Sequence, residues 1–153
     1  NYHKAKVGIG ENVSVGEDIA FGVGFYIADS KEQAIDKVRP YHDERYKWFA
    51  PFGYVRYTDE EGRPWGTPGA PARTPRVEDG VDQKAWFCGS PDEFISYLQA
   101  LETKYPGLED IVFQWPEGMP WLEFKDQLSI FAREVMPVFS GASSGTVGAP
   151  AND

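Results

Sequence analysis

Few side chains in this chain of 153 residues are suited to chemistry of their own. The histidines are His3 and His42, and neither falls into a metal-ligand spacing with the single cysteine, Cys88, so no metal site is expected. Cys88 stands just before a helix start, where amide dipoles can lower a thiol pKa, although burial at a strand end is the commoner fate. Ser90 lacks the G-x-S-x-G setting of a hydrolase nucleophile, and a capping role accounts for it. Carboxylates occur in pairs at Asp43-Glu44, Glu60-Glu61 and Asp92-Glu93, but sequence adjacency does not make two carboxyl groups face each other for acid-base work. They read as solvated charges. Gly8-Ile9-Gly10 has no flanking strand and helix, which a nucleotide loop requires. Trp48, Trp86 and Trp121 read as packing residues rather than as a stacking surface. Gln114 and Trp115 differ, because they end a short apolar run, with Gly118 and Met119 in the turn behind them.

The elements that must position these residues follow from spacing. Ile19 to Ala28 is an apolar stretch whose Phe25-Tyr26-Ile27 supplies strand-forming bulk, so a buried strand is predicted there. Ser30 with Gln33 matches a helix start. Ala34, Ile35, Val38, Tyr41, Arg45, Trp48 and Phe49 then follow a helical stripe over residues 31–49, with a bend near Arg39 or a break expected because Pro40 interrupts it. Ser90-Pro91-Asp92-Glu93 is a capping box with proline at the first helical position, and Phe94, Ile95, Leu98, Leu101 and Tyr105 carry that helix to the stop at Lys104 and Pro106-Gly107. Residues 110–115 read as a strand covered on both faces. Pro116 to Pro120 turns the chain, and Trp121, Phe124, Leu128, Phe131 and Val135 share one helical face until Pro137 ends it. Residues 1–18 read as a connection entering the sheet.

Composition narrows the function classes. A 41% hydrophobic and 25% charged chain is ordinary for a soluble globular domain, and 24 acidic against 15 basic residues give a net charge of -9. General affinity for nucleic acid or anionic membrane is disfavoured. One cysteine permits no intrachain disulfide, no run is long and apolar enough to span a membrane, and a cytoplasmic location is the expectation.

Four ordered segments carry a family resemblance. Cys88-Gly89-Ser90-Pro91-Asp92-Glu93, Ile111 to Trp115, Gly118-Met119-Pro120 and the closing Phe131-Ala132-Arg133-Glu134-Val135-Met136-Pro137 resemble the C-terminal end of bacterial luciferase-like, flavin-dependent monooxygenases. Phe25 to Ala34 looks like that family's seventh strand and the start of its next helix. The resemblance implies an α/β fold that is the C-terminal portion of a TIM barrel: strands seven and eight, their helices and a long loop, incomplete as it stands. Residues 1–139 would form that part, and 140–153 a disordered tail rich in Ser, Gly and Ala. The opening at Asn1 fits the expectation of a longer parent.

The implied reaction is oxygenation of an organic substrate by bound reduced flavin and O2, with water excluded. FMN is the implied cofactor, coenzyme F420 its deazaflavin alternative, and a flavin reductase a candidate partner, with the electron donor left open. Gln114, Trp115, Gly118 and Met119 are the cofactor-lining candidates. Residues 51–84 have no period and read as a mobile lid or as an ordinary surface loop, with Arg73, Arg76 and Lys84 as its candidates for contacting an anionic flavin. By resemblance the catalytic histidine and most phosphate-gripping residues lie in earlier strands, outside this sequence, and the chain is not expected to be active alone. A rival reading is a non-catalytic partial-barrel module that acts through self-association or a partner chain, because few strands leave exposed edges.

Overall fold

The structure, a computed structural model, describes residues 2–52, 57–64, 68 and 74–140. Its centre is β1 (Ala20–Ile27), which lies between β2 (Trp86–Gly89) and β3 (Asp110–Phe113) in one parallel sheet of order β2-β1-β3. The two neighbours share β1 without overlapping. Residues 24–27 pair with β2 and residues 20–23 with β3. In a parallel ladder, peptide groups alternate between the two edges. Gly24 N–H donates to the Ala85 carbonyl (3.2 Å) and Ala28 N–H to that of Gly89 (3.0 Å), whereas the Val23 carbonyl accepts from Gln114 N–H (3.2 Å). Ile27 therefore faces the edge that β3 has already left. The side-chain amide of Gln127 takes the vacant place: its Oε1 accepts from Ile27 N–H (2.6 Å), and its Nε2 donates to the Ile27 carbonyl (3.1 Å).

Helices cover this sheet. α1 (Tyr2–Gly8) stands where the sequence suggested only a connection. α2 (Lys31–Phe49) starts at Ser30, whose hydroxyl accepts from Gln33 N–H (3.2 Å), and continues as one helix through Pro40. After Pro40 its buried face is His42 and Tyr46, not the expected Tyr41, Arg45 and Trp48, and Trp48 is 69% exposed. α3 (Val77–Asp82) lies inside the stretch read as aperiodic, and a two-pronged Arg39–Glu78 pair (2.7 and 3.1 Å) ties it to α2. α4 (Pro91–Lys104) matches its expected bounds, with Ser90 Oγ accepting from Glu93 N–H and the Glu93 carboxylate accepting from Ser90 N–H. α5 (Trp121–Ile130) runs through a π turn (Phe131–Val135) into α6 (Met136–Phe139), so Pro137 does not end the helix. A proline obstructs the carbonyl four residues earlier, and here that carbonyl belongs to Arg133, within the wider turn where the ladder is already respaced.

The core is aromatic. Phe87 stacks on Phe94 (4.2 Å, 5°), and Phe25, Phe113 and Phe131 complete the cluster. Trp86 fills a slot floored by two glycines, since a Cβ on Gly24 would lie 2.5 Å from its indole and one on Gly80 2.8 Å.

The expected barrel segment is not what the chain forms. The two strands expected as the seventh and eighth, β1 and β3, do pair in parallel, but a third strand that comes between them in the chain, β2, lies on the far side of β1, out of the chain order a barrel keeps, and among the described residues the sheet has three strands and does not close. β3 is also not covered on both faces, for Asp110 and Val112 are exposed, the latter at 52%. Of the expected tail, residues 140–153, Ser140 is described and closes α6, its N–H donating to the Met136 carbonyl (3.2 Å), while 141–153 lie outside the described residues.

Replacing Gln127 with alanine strands two buried backbone groups, and the expected cost is about 2 kcal/mol in urea unfolding. A loss too small to measure would mean that water serves Ile27 equally well.

Candidate functional site

Where β3 vacates one edge of β1, Gln127 fills the gap; where β2 has not yet begun on the other, a cavity of about 470 Å³ opens. Phe21, Gly22 and Ala85 form its sheet side. Since Gly24 points its N–H at the β2 edge, Gly22, two residues earlier, turns its peptide groups to the same edge, into the cavity. Arg45 and Tyr46 enter from the end of α2, Tyr97, Leu101 and Lys104 from α4, and Lys84 from the turn after α3. Arg45 is held by Gln114, whose Oε1 accepts from its Nη1 (3.1 Å), and it lies 3.5 Å from a Glu117 oxygen.

Beside the cavity is a buried polar chain that sequence reasoning passed over. His42 is fully buried, with Nδ1 3.2 Å from the Asp43 carboxylate and Nε2 2.8 Å from the Tyr57 hydroxyl. The Asp43 carboxylate can only accept, so Nδ1 carries the proton and Nε2 accepts from Tyr57. Burial lowers the His42 pKa, with the Asp43 hydrogen bond opposing, and burial foremost raises that of Tyr57, so imidazole and phenol are both neutral near pH 7. The missed signal was the four-residue step Ala34, Val38, His42, Tyr46, which places His42 on the inner face.

The residues nominated from sequence are divided by the fold. Gln114 and Lys84 meet at the cavity. Trp115 stacks on Phe124 (5.7 Å, 4°) and donates its indole N–H to the Met119 carbonyl (2.9 Å), while Met119 itself is buried. Gly118 faces a separate open groove, lined by Trp48, Phe49 and Phe52 and shared with Arg45. Arg76 is exposed just ahead of α3, its N–H donating to Asp79 (2.8 Å), and it lines neither space. Arg73 lies outside the described residues. Cys88 is buried in β2 with its thiol pushed up to about 12 by desolvation, which removes it from nucleophilic chemistry. Among the described residues, no three or more His, Cys, Asp or Glu side chains group to hold a metal, and no helix is long and apolar enough to cross a membrane.

No family model matches the chain, and no curated protein does. Among solved structures it is similar to the crystal structure of monooxygenase RslO1 from Streptomyces bottropensis, with 18% identity and a TM-score of 0.56. The match covers 91% of this chain and 36% of that one. At that identity the likeness is one of fold.

The burial of His42 has a pH consequence. Its folded pKa lies below the ordinary 6.5, so as pH falls below 6.5 the unfolded chain takes up a proton that the folded one refuses, and stability is lost. Urea midpoints at pH 7.5 and 5.5 should drop more for the native chain than for His42→Gln; equal drops would refute this. Cys88 should react with a thiol reagent at pH 8 only after unfolding, and prompt reaction of the native chain would contradict its burial.

Proposed function

We propose that this chain is part of a flavin-dependent monooxygenase of the luciferase-like kind, one that uses reduced FMN and O2 to oxygenate an organic substrate. The observation that carries the reading is the fold likeness to a monooxygenase over 91% of the chain, which agrees with the independent resemblance of residues 88–93, 111–115 and 131–137. The chain spans 36% of that protein, so the activity belongs to a longer assembly of which this is a part.

The donors that would suit a flavin are spread over two spaces, Gln114 lining the cavity and Gly118 the separate groove, with Arg45 bordering both. Arg45 offers a cation for a phosphate, Gln114 an amide, and Trp115 an indole that is 49% exposed. Gly118, at φ 80° with nothing near its missing Cβ, leaves room for close approach. Met119 would act only from behind, by fixing the Trp115 ring through its carbonyl. The bound flavin would supply the electrons that activate O2. The contribution of these side chains is to bind, orient and exclude water. Coenzyme F420 is the alternative cofactor, and a flavin reductase the partner this chemistry would need.

A second reading rests on a different observation. Trp48, Phe52, Trp121 and Leu122 are each more than half exposed, and β3 presents an open edge, as expected of a module that acts by self-association or with a partner chain.

Titrating the chain with FMN, oxidised and reduced, while following tryptophan fluorescence and light scattering separates the two. Weak quenching by a defined species, weaker still in Arg45→Ala, is the expected result, because most of the grip on the flavin phosphate belongs to the rest of the longer assembly. A compact, stable oligomer that binds no flavin would replace the oxygenase reading with the module.

A further inference from the structure

The 470 Å³ cavity has a charge at odds with its protein. The chain carries 24 acidic residues against 15 basic ones, yet the cavity is lined by Arg45, Lys84 and Lys104 and by no carboxylate among the described residues. No ion pair engages either lysine among those residues; Lys104 Nζ instead lies 5.1 Å from the centroid of the Tyr105 ring. Four tyrosines line it, Tyr97 and Tyr105 half-buried, Tyr46 and Tyr57 buried and packed on each other.

Lys84 adds an independent observation. It follows α3 at φ 59°, in the left-handed region. Its N–H bonds to the Val81 carbonyl (3.1 Å), and Ala85 N–H bonds to that of Gly80 (2.8 Å). This is the Schellman closure of a helix, and lysine occupies the position where glycine is favoured. A side chain with a Cβ is strained there, and strain of this kind accumulates where a side chain is needed for more than the fold. Tyr97 fixes the turn further by donating its hydroxyl to the Lys84 carbonyl (3.0 Å).

We infer that this cavity is a binding site for a small planar aromatic carboxylate, its anionic end met by Lys84 and Lys104 beside Arg45 and its ring held against the tyrosines. Arg45 is already engaged by Glu117 and Gln114, so the two lysines are the cations open to a carboxylate, while tyrosine rings match a flat ring and a positive cleft in an acidic protein draws anions in. The inference goes beyond the flavin reading and holds whether or not the chain carries a flavin.

Salicylate is a suitable probe, because its own fluorescence reports binding to the full chain without FMN. Saturable binding is expected, roughly tenfold weaker for the neutral salicylamide and in Lys104→Gln, and weaker at high salt. Lys84→Gly makes the sharper test. It should weaken binding while raising the unfolding midpoint, because it removes the cation and relieves the backbone together. No saturable binding by the folded chain, equal affinity for salicylamide, or unchanged binding in both lysine variants would overturn the assignment. Displacement of salicylate by inorganic phosphate at comparable concentration would overturn the aromatic part of it and give the cavity to phosphate esters. Both readings use Arg45, but Lys104 serves only the carboxylate, so Lys104→Gln should weaken salicylate and leave the FMN titration unchanged, which lets the two readings fall separately.

Discussion

Everything in this fold depends on a single strand that must satisfy two edges with neighbours too short to cover either. β2 and β3 each supply four residues, and they are staggered by half the length of β1, so each edge of the central strand is paired for half its run and open for the other half. A buried backbone group left unpaired is costly, and the two vacancies are resolved differently. On the β3 edge the vacancy is deep in the core, and Gln127 substitutes one side-chain amide for a strand. On the β2 edge it lies beside exposed Gly22, and it becomes the cavity.

The same device recurs outside the sheet. Gln83 pairs its amide with both the N–H and the carbonyl of Thr58 (2.9 and 2.8 Å), anchoring the segment that carries Tyr57 onto the turn that carries Lys84. Tyr57 is thereby kept against His42, and the turn against Tyr97. A glutamine can do this because its amide offers a donor and an acceptor with the spacing of a peptide group; glutamate offers only acceptors. The position of the cavity walls therefore depends on amides as much as on the apolar core.

How far this was legible from sequence follows the range of the interactions. The start of α4 was readable to the residue, because a capping box is closed within four positions, and its end was marked by Lys104 and Gly107. β1 was readable from its own composition. The order of the sheet was not, since it depends on which of two later strands meets which half of β1 across separations of about 60 to 90 residues. Resemblance to a barrel family supplied sequential winding, and the long-range pairing does not follow it. Gln127 was invisible for a related reason: a glutamine on an amphipathic helix reads as surface until the backbone it must serve is known.

The candidate site divides along the same line. Gln114 was nominated because it ends a strand, and strand ends are local; it lines the cavity. Arg45 and Lys104 were read as a stripe residue and a helix stop, readings that describe their own helices and say nothing of the space between them. α2 and α4 approach the sheet from different points of the chain, and only their convergence beside the vacated edge makes the cations neighbours. Charge composition hides such a place as well, because a net charge of -9 averages over the whole surface, whereas a ligand meets only the residues that line its cleft. Lys84 is the exception that a sequence could disclose. Its strain is set by the turn that follows Val77–Asp82, a local feature, and would have been readable had so short a helix been recognised behind the glycine- and proline-rich stretch that precedes it.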